Sequence, residues 1–396
     1  MADTGTFRGP QSIPFTSRKD YEVLAAKNAA LRLRAASGHV FSFTDLTSAD
    51  GALNFGHLNP SIDPFSRITA DLAPSIFPPS AASYAAWLCG KLGLDAHAVH
   101  YVTGERSAVC AAIELAQRIR AGKVAVIAGS DHERVVGGVR HGLKIVSGDA
   151  ARIARGGKED RRSQQTIRIS VGSEFSAWGD VSCLIYEPIQ GASGYVPLAL
   201  PWLRGLSQSA QAAGVTVIAD ETQCGFFRFG RLSLAASEFL RPDFYLFGNS
   251  MTNGIFPLFA LIYPDSLRDR VLTEEEGWRH TFQTACLGYG AAEAVAAYID
   301  GNDIEGMVAR IHAILGQTGE ALAANPCLSD FHLAGPTLSL EVSDERAGEL
   351  ALGCEESGVL IGLGGKRRVC IAPPVTIFPE QLVTALKAVK KAAAAL

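Results

Sequence analysis

The sequence predicts an α/β protein: a mainly parallel, seven-stranded-type sheet with helices on both faces, plus a smaller α+β unit toward the carboxyl end. Three observations predict it. Short apolar runs alternate with amphipathic stretches, the pattern of strands joined by covering helices. One such run, VTVIA, delivers Asp220 at its carboxyl end, where open α/β sheets bind ligands. Hydrophobic residues make up 47% of 396, enough for a substantial core.

In chain order, helices are expected over Tyr21–Ala36, Ser80–Leu92 and Ser107–Ala121, then a strand over Val124–Ala128. Strands follow at Cys183–Tyr186 and Val215–Ala219, separated by a helix over Pro201–Ala213. Two more strands, Phe244–Phe247 and Ala260–Tyr263, lead to a helix over Ala291–Tyr298. The smaller unit has strand candidates at Leu338–Val342, Gly358–Ile361 and Val369–Ala372. It ends in an Ala-rich helix from Thr384 to Leu396, with Lys387, Lys390 and Lys391 near its negative dipole end. A boundary near 290 divides the chain into an N-terminal segment (1–55) packing with the small domain, a large domain (56–290) and a small domain (291–396). No internal repeat is visible.

Composition excludes several classes. A net charge of -4 with no long basic run argues against nucleic acid or an anionic membrane as partner. The mixed-sign patch Lys158 to Arg162 reads as a solvated loop. Eight cysteines without CxxC pairs read as reduced thiols of a cytoplasmic protein, not a disulfide framework or metal site. No apolar signal core or membrane-length run is present.

Four motifs carry chemistry. In VTVIADETQCGFFRFG, Asp220 and Gln223 precede Gly225, Arg228 and Gly230; in isolation the acid would read as a strand-end cap. In YVTGERSAVCAAIELA, a glycine turn at Gly104 opens into a helix with Ser107 as N-cap, offering amide donors and a dipole to a phosphate. Glu105 and Arg106 lie in that turn, and Arg106 either contacts the anion or points to solvent. In GSDHERVVGG, His132 follows the loop residue Asp131 and is either a structural hydrogen bonder or a site residue. In YLFGNSMTNGIFP, a strand ends at a turn containing Asn249, a residue that tolerates left-handed backbone.

In this order, over roughly residues 40 to 385, the motifs resemble those of the class III aminotransferases. The resemblance implies the fold type I architecture, with the large domain binding pyridoxal 5'-phosphate or pyridoxamine 5'-phosphate. It assigns Asp220 to the pyridinium nitrogen and Gln223 to the phenolic oxygen. Gly104, Glu105, Arg106 and Ser107 fall at the phosphate cup, with one extra residue around Glu105–Arg106. Asp131 replaces the aromatic residue that stacks on the ring, beside His132. Glu187 in YEPIQG matches the family's E-P-x-x-G. Thr281 matches the threonine that reaches the neighbouring subunit's phosphate, which implies a homodimer with shared sites. GALNFGHLNP resembles the diaminobutyrate aminotransferase branch in particular. CIAPPVTI resembles R-x-x-P-P-L-T-I, with Cys370 at the carboxylate-clamping arginine and Arg367 and Arg368 close but off register.

The Schiff-base lysine falls at Asn249. An amide nitrogen is not basic and cannot condense with an aldehyde. Three readings stay open: an aminotransferase for an ω-amine or diamino acid with its lysine replaced; a natural lysine-less relative holding the cofactor non-covalently; and a repurposed pocket or non-catalytic partner subunit.

Overall fold

The apolar runs assemble into a seven-stranded sheet whose alternate residues face two separate cores. In the computed structural model, residues 21–35, 37–72, 78–132, 136, 166–271 and 281–396 are described, 271 and 281 by backbone alone. The sheet runs β4 (His97–Thr103), β12 (Leu258–Pro264), β11 (Phe244–Phe247), β10 (Thr216–Asp220), β7 (Val181–Tyr186), β5 (Lys123–Ile127), β6 (Thr166–Ile169). Only β12 opposes its neighbours; the other pairings are parallel. Because both faces are covered, β7, β10 and β11 are buried throughout. Val126, Ile185, Ile218 and Leu246 pack with the helix Glu105–Ile119 on one face. Ile127, Tyr186, Ala219 and Phe247 pack on the other with the helices Pro79–Leu92, Leu200–Ala212 and Cys286–Asp300.

The expected strands form within about two residues of their bounds. Two expectations fail. Tyr21–Ala36 is not a helix but a hairpin, β1 (Tyr21–Lys27) and β2 (Ala30–Ala35), turning at a left-handed Asn28 whose N–H donates to His57. Alanines mimic helix propensity here, while β3 (Val40–Asp45) supplies the partner edge that decides for strand. Ser107 is not an N-cap: the helix begins at Glu105 behind Gly104, whose φ of 93° suits glycine.

Two further four-stranded sheets complete the fold. One is β1-β2-β3-β15, with β15 at Val359–Leu360; the other is β13 (Leu328–Ala334), β14 (Thr337–Val342), β17 (Arg368–Ile371), β16 (Gly362–Gly364). Thr44 of β3 pairs in parallel with Val359, so one sheet joins the first described strands to a strand from the carboxyl-terminal part of the chain. A short β8-β9 ladder (Ile189–Gln190, Val196–Pro197) lies beyond β7. The lysine-bearing terminal helix spans Pro379–Ala393. The patch Lys158 to Arg162 lies outside the described residues. Among the described residues no helix is long and apolar enough to cross a membrane.

Candidate active site

The carboxyl ends of the parallel strands gather a buried acid–base cluster. Asp220, the last residue of β10, is 4% exposed and its Oδ2 lies 3.0 Å from His132 Nε2. Its Oδ1 accepts from the Thr222 N–H at 3.0 Å and the Thr222 hydroxyl at 2.6 Å. Burial would raise the Asp220 pKa, but His132 and Thr222 hold it below its ordinary value. Burial would depress the His132 pKa, but its bond to Asp220 and the charges of Asp220, Glu187 and Glu105 carry it upward. Each partner thus holds the other toward its charged form.

Two more carboxyls face it. Glu187 follows β7; its Oε1 accepts from the Gly191 N–H at 3.3 Å, and its Oε2 has no hydrogen-bond partner among the described residues. Burial pushes the Glu187 carboxyl up to about 7, His132 offsetting part of the rise and Asp220 and Glu105 adding to it. Glu105 heads its helix and reaches within 3.5 Å of Gln223 Nε2 and 3.4 Å of Thr222 Oγ1. The Thr222 hydroxyl has one proton, and the shorter contact gives it to Asp220. Burial and next the Asp220 charge raise the Glu105 pKa, and the Gln223 amide, donating to the carboxylate, offsets part of the rise. Gln190 and Ser193 brace the loop carrying Asp131 and His132, donating to Ala128 and Gly129 carbonyls at 2.8 and 2.7 Å.

Beside the cluster lies a cavity of about 260 Å³. Thr47, Asp50, Gln223 and Tyr195 form its polar lining, and Ala192, Leu363, Cys370 and Ala372 most of the remainder. Asp50 belongs to four consecutive left-handed residues, Ser48–Gly51, with φ of 48°, 48°, 54° and 86°. That turn is clamped: the Ser48 hydroxyl donates to Ala372 at 2.8 Å, and the Ser250 hydroxyl donates to the Gly51 carbonyl. Asn249 begins a single 3-10 turn after β11, also left-handed at φ 44° and half-buried. Asn253, four residues on, accepts from the Phe55 N–H at 3.0 Å and donates to Gly56 at 2.9 Å, locking this turn onto the N-terminal segment.

Not every sequence candidate enters the site. Arg106 and Ser107 are exposed on the first helical turn. Arg368 does not line the cavity; it donates to Ser339 Oγ at 3.0 Å and to the carbonyl and carboxylate of Asp330. Cys370 does line it, its thiol pushed by burial up to about 12. The Thr281 side chain lies outside the described residues, as do Glu133 and Gly138. Asp50 and Tyr195 were missed. The Asp50-Gly51 dipeptide was the available signal, a turn former before an apolar stretch. Arg228 is wholly buried, donating to Asn54 Oδ1 at 2.6 Å and Pro373 O at 3.0 Å, so it braces the fold. Among the described residues no group of three or more His, Cys, Asp or Glu side chains could hold a metal ion.

Residues 144–393 match the family model of the class-III aminotransferases. The chain belongs to that family. Class III aminotransferases use pyridoxal phosphate. This class III chain is 27% identical to the ornithine aminotransferase of Brevibacillus brevis over 239 residues, 56% of this chain and 57% of that one. It is 26% identical to the acetylornithine aminotransferase of Methanothermobacter thermautotrophicus over 220 residues, 54% and 55% of the two chains. It thus spans little more than half the length of the curated relatives it matches. Among solved structures, a Bacillus anthracis aminotransferase superposes with a TM-score of 0.78 at 17% identity, covering 97% of this chain and 95% of that one. The Toxoplasma gondii ornithine aminotransferase, with pyridoxal phosphate at partial occupancy in its active site, gives 0.77 at 19% identity, over 97% and 92%. At these identities the likeness speaks for the fold.

Proposed function

We propose that this class III member is a lysine-less relative that does not transaminate through a protein-bound imine and keeps its pocket for a ligand held non-covalently. One observation carries the reading: Asn249, where the resemblance expects the lysine, opens the turn after β11, which is clamped to the N-terminal segment. An amide there neither forms an imine nor accepts a proton near neutral pH.

Pyridoxal phosphate suits the pocket at one end only. Asp220, buried and held toward its charged form, is the acceptor a pyridinium needs, and that cofactor would supply an electron sink. The helix start that should favour a phosphate instead carries Glu105, and Asp131 stands where an aromatic ring would stack. The phosphate and stacking positions do not fit that cofactor, so in this chain its hold would rest on Asp220 with no imine to add to it. What the chain's own groups offer is binding and proton exchange. His132 Nδ1 and Glu187 Oε2 are buried without partners among the described residues.

A second reading, amino transfer to an ω-amine or diamino acid once a lysine is restored, is favoured by Asp220 and by Gln223 beside it. The diaminobutyrate branch rests on GALNFGHLNP alone. A homodimer sharing its sites belongs to this reading. Exposed Leu72 and Phe282 flank the Thr281 segment, Leu72 bridging to Ala285. Light scattering after size exclusion tests the dimer.

The deciding experiment titrates the protein and N249K with pyridoxal phosphate and pyridoxamine phosphate, reading absorbance with and without borohydride. Saturable binding with a reducible chromophore in N249K alone is expected. A borohydride-fixed adduct on the unmutated chain would refute the lysine-less reading. Failure of both proteins to bind either form would refute the cofactor part of it.

A further inference from the structure

We infer that the cavity beside Asp220 takes a small amine without a carboxylate, Asp50 receiving the ammonium group and the Cys370 wall turning acids away. The inference deepens the reading above and rests on it for the identity of the site.

Size comes first. A cavity of about 260 Å³ exceeds several times the roughly 30 Å³ share of one water, so it holds a small organic molecule. Its charge comes next. Among the described lining residues Asp50 is the one charged side chain. The neighbouring cluster adds Asp220, paired with His132. The other lining side chains include Ala192, Leu363, Ala372 and Cys370, none of them charged, because a thiol with a pKa near 12 does not ionise at neutral pH. The nearest arginine along β17, Arg368, is already spent on Asp330 and Ser339.

An α-carboxylate entering here would face the exposed Asp50 carboxylate with no lining cation to receive it, and like charges at close range repel. An ammonium would meet a carboxylate there, with the uncharged side chains of Ala192, Leu363, Ala372 and Cys370 beside its methylene chain. The chain also takes trouble to place Asp50. Two side chains outside the lining, Ser48 and Ser250, hold a left-handed run that three of its four residues, Ser48, Ala49 and Asp50, adopt without being glycine. Gln223 sets the other polar edge; its amide lies so close over Gly191 that a Cβ there would overlap it.

Isothermal titration of the full chain with 1,3-diaminopropane and with L-2,4-diaminobutyrate, which differ by one carboxylate, tests the inference. The diamine is expected to bind at least about tenfold more tightly. D50N, isosteric and suited to a left-handed backbone, is expected to cut diamine affinity by about tenfold and leave the melting temperature in place. C370R is expected to raise affinity for the amino acid, and C370K repeats that test if the first variant fails to fold. Equal affinities, no diamine binding, or a D50N protein that binds the diamine as before would overturn the inference. None of these outcomes bears on the lysine-less reading, which the borohydride experiment decides by itself.

Discussion

Around His132, three carboxyls share one buried imidazole: Asp220, Glu187 and Glu105. Burial penalises surplus charge there, and it is chiefly burial that pushes Glu187 up to about 7. The sign of the linkage follows. Between the unfolded glutamate value of about 4.3 and 7, the native state binds a proton the unfolded chain releases, so stability falls as pH rises through that window. Glu221, also pushed to about 7 by burial though it accepts from Ser233, Leu234 and Ala235, slopes the same way. His132, raised in the fold, adds stability below about 6.5 that is lost as pH climbs through its folded value. Asp220, lowered, adds stability above about 3.9 that is lost on acidification. Melting temperatures measured from about pH 5 to about pH 8 should therefore decline, and E187Q should flatten the decline and melt higher than the parent at the alkaline end. An unchanged slope in E187Q would mean that Glu187 ionises freely. At this scale the motif residues were legible, because strand-end register brought Asp220 and Glu187 together with His132. Tyr195 was not, because it reaches the cavity through a positive φ that no side-chain pattern announces, and Asp50 left only the Asp-Gly turn dipeptide as a sign.

Elements show the same division. The apolar runs that became β7, β10 and β11 could be read because a doubly covered strand is apolar throughout. The hairpin β1–β2 could not, since its alanines satisfy a helix as well as a strand and the deciding partner, β3, lies further along the chain. Left-handed backbone costs L-residues about 1–2 kcal/mol each, so the Ser48–Gly51 turn stores energy that its clamps repay. Ala49→Gly should relieve part of it and stabilise by roughly 0.5–1 kcal/mol, a rise of about 1–3 °C in melting temperature. Gly335→Ala should do the reverse. Its φ is 51°, and a Cβ there would strike the backbone of Phe229 and Gly230, which cannot step aside. A loss of about 3 kcal/mol or more, or no soluble protein, is expected; a melting temperature within a degree of the parent's would contradict this contact.

At the scale of the whole molecule, Arg228 stands where three parts of the chain meet. Its guanidinium donates to Asn54 and Pro373, and its carbonyl accepts from the Thr337 hydroxyl at 2.9 Å. Burial lowers its pKa to about 10. Arg228→Ala would leave buried acceptors unpaired and a void between sheets, at a cost of roughly 3 kcal/mol or more. Calorimetry should then resolve two unfolding steps where the parent shows one, and a single transition at the parent's temperature would show that the junction does not couple the sheets. Sheet order was beyond the sequence, since neighbours such as β4 and β12 are set by which faces bury together, not by spacing. The pairing of β3 with β15, and the bond from Ser48 to Ala372 across 324 positions, also bear on time. On the ribosome Asp50 emerges early, but two other lining residues, Leu363 and Cys370, emerge only after the whole central sheet. No partial product owns the pocket, so a nascent chain has nothing with which to capture a ligand and must fold first and bind afterwards.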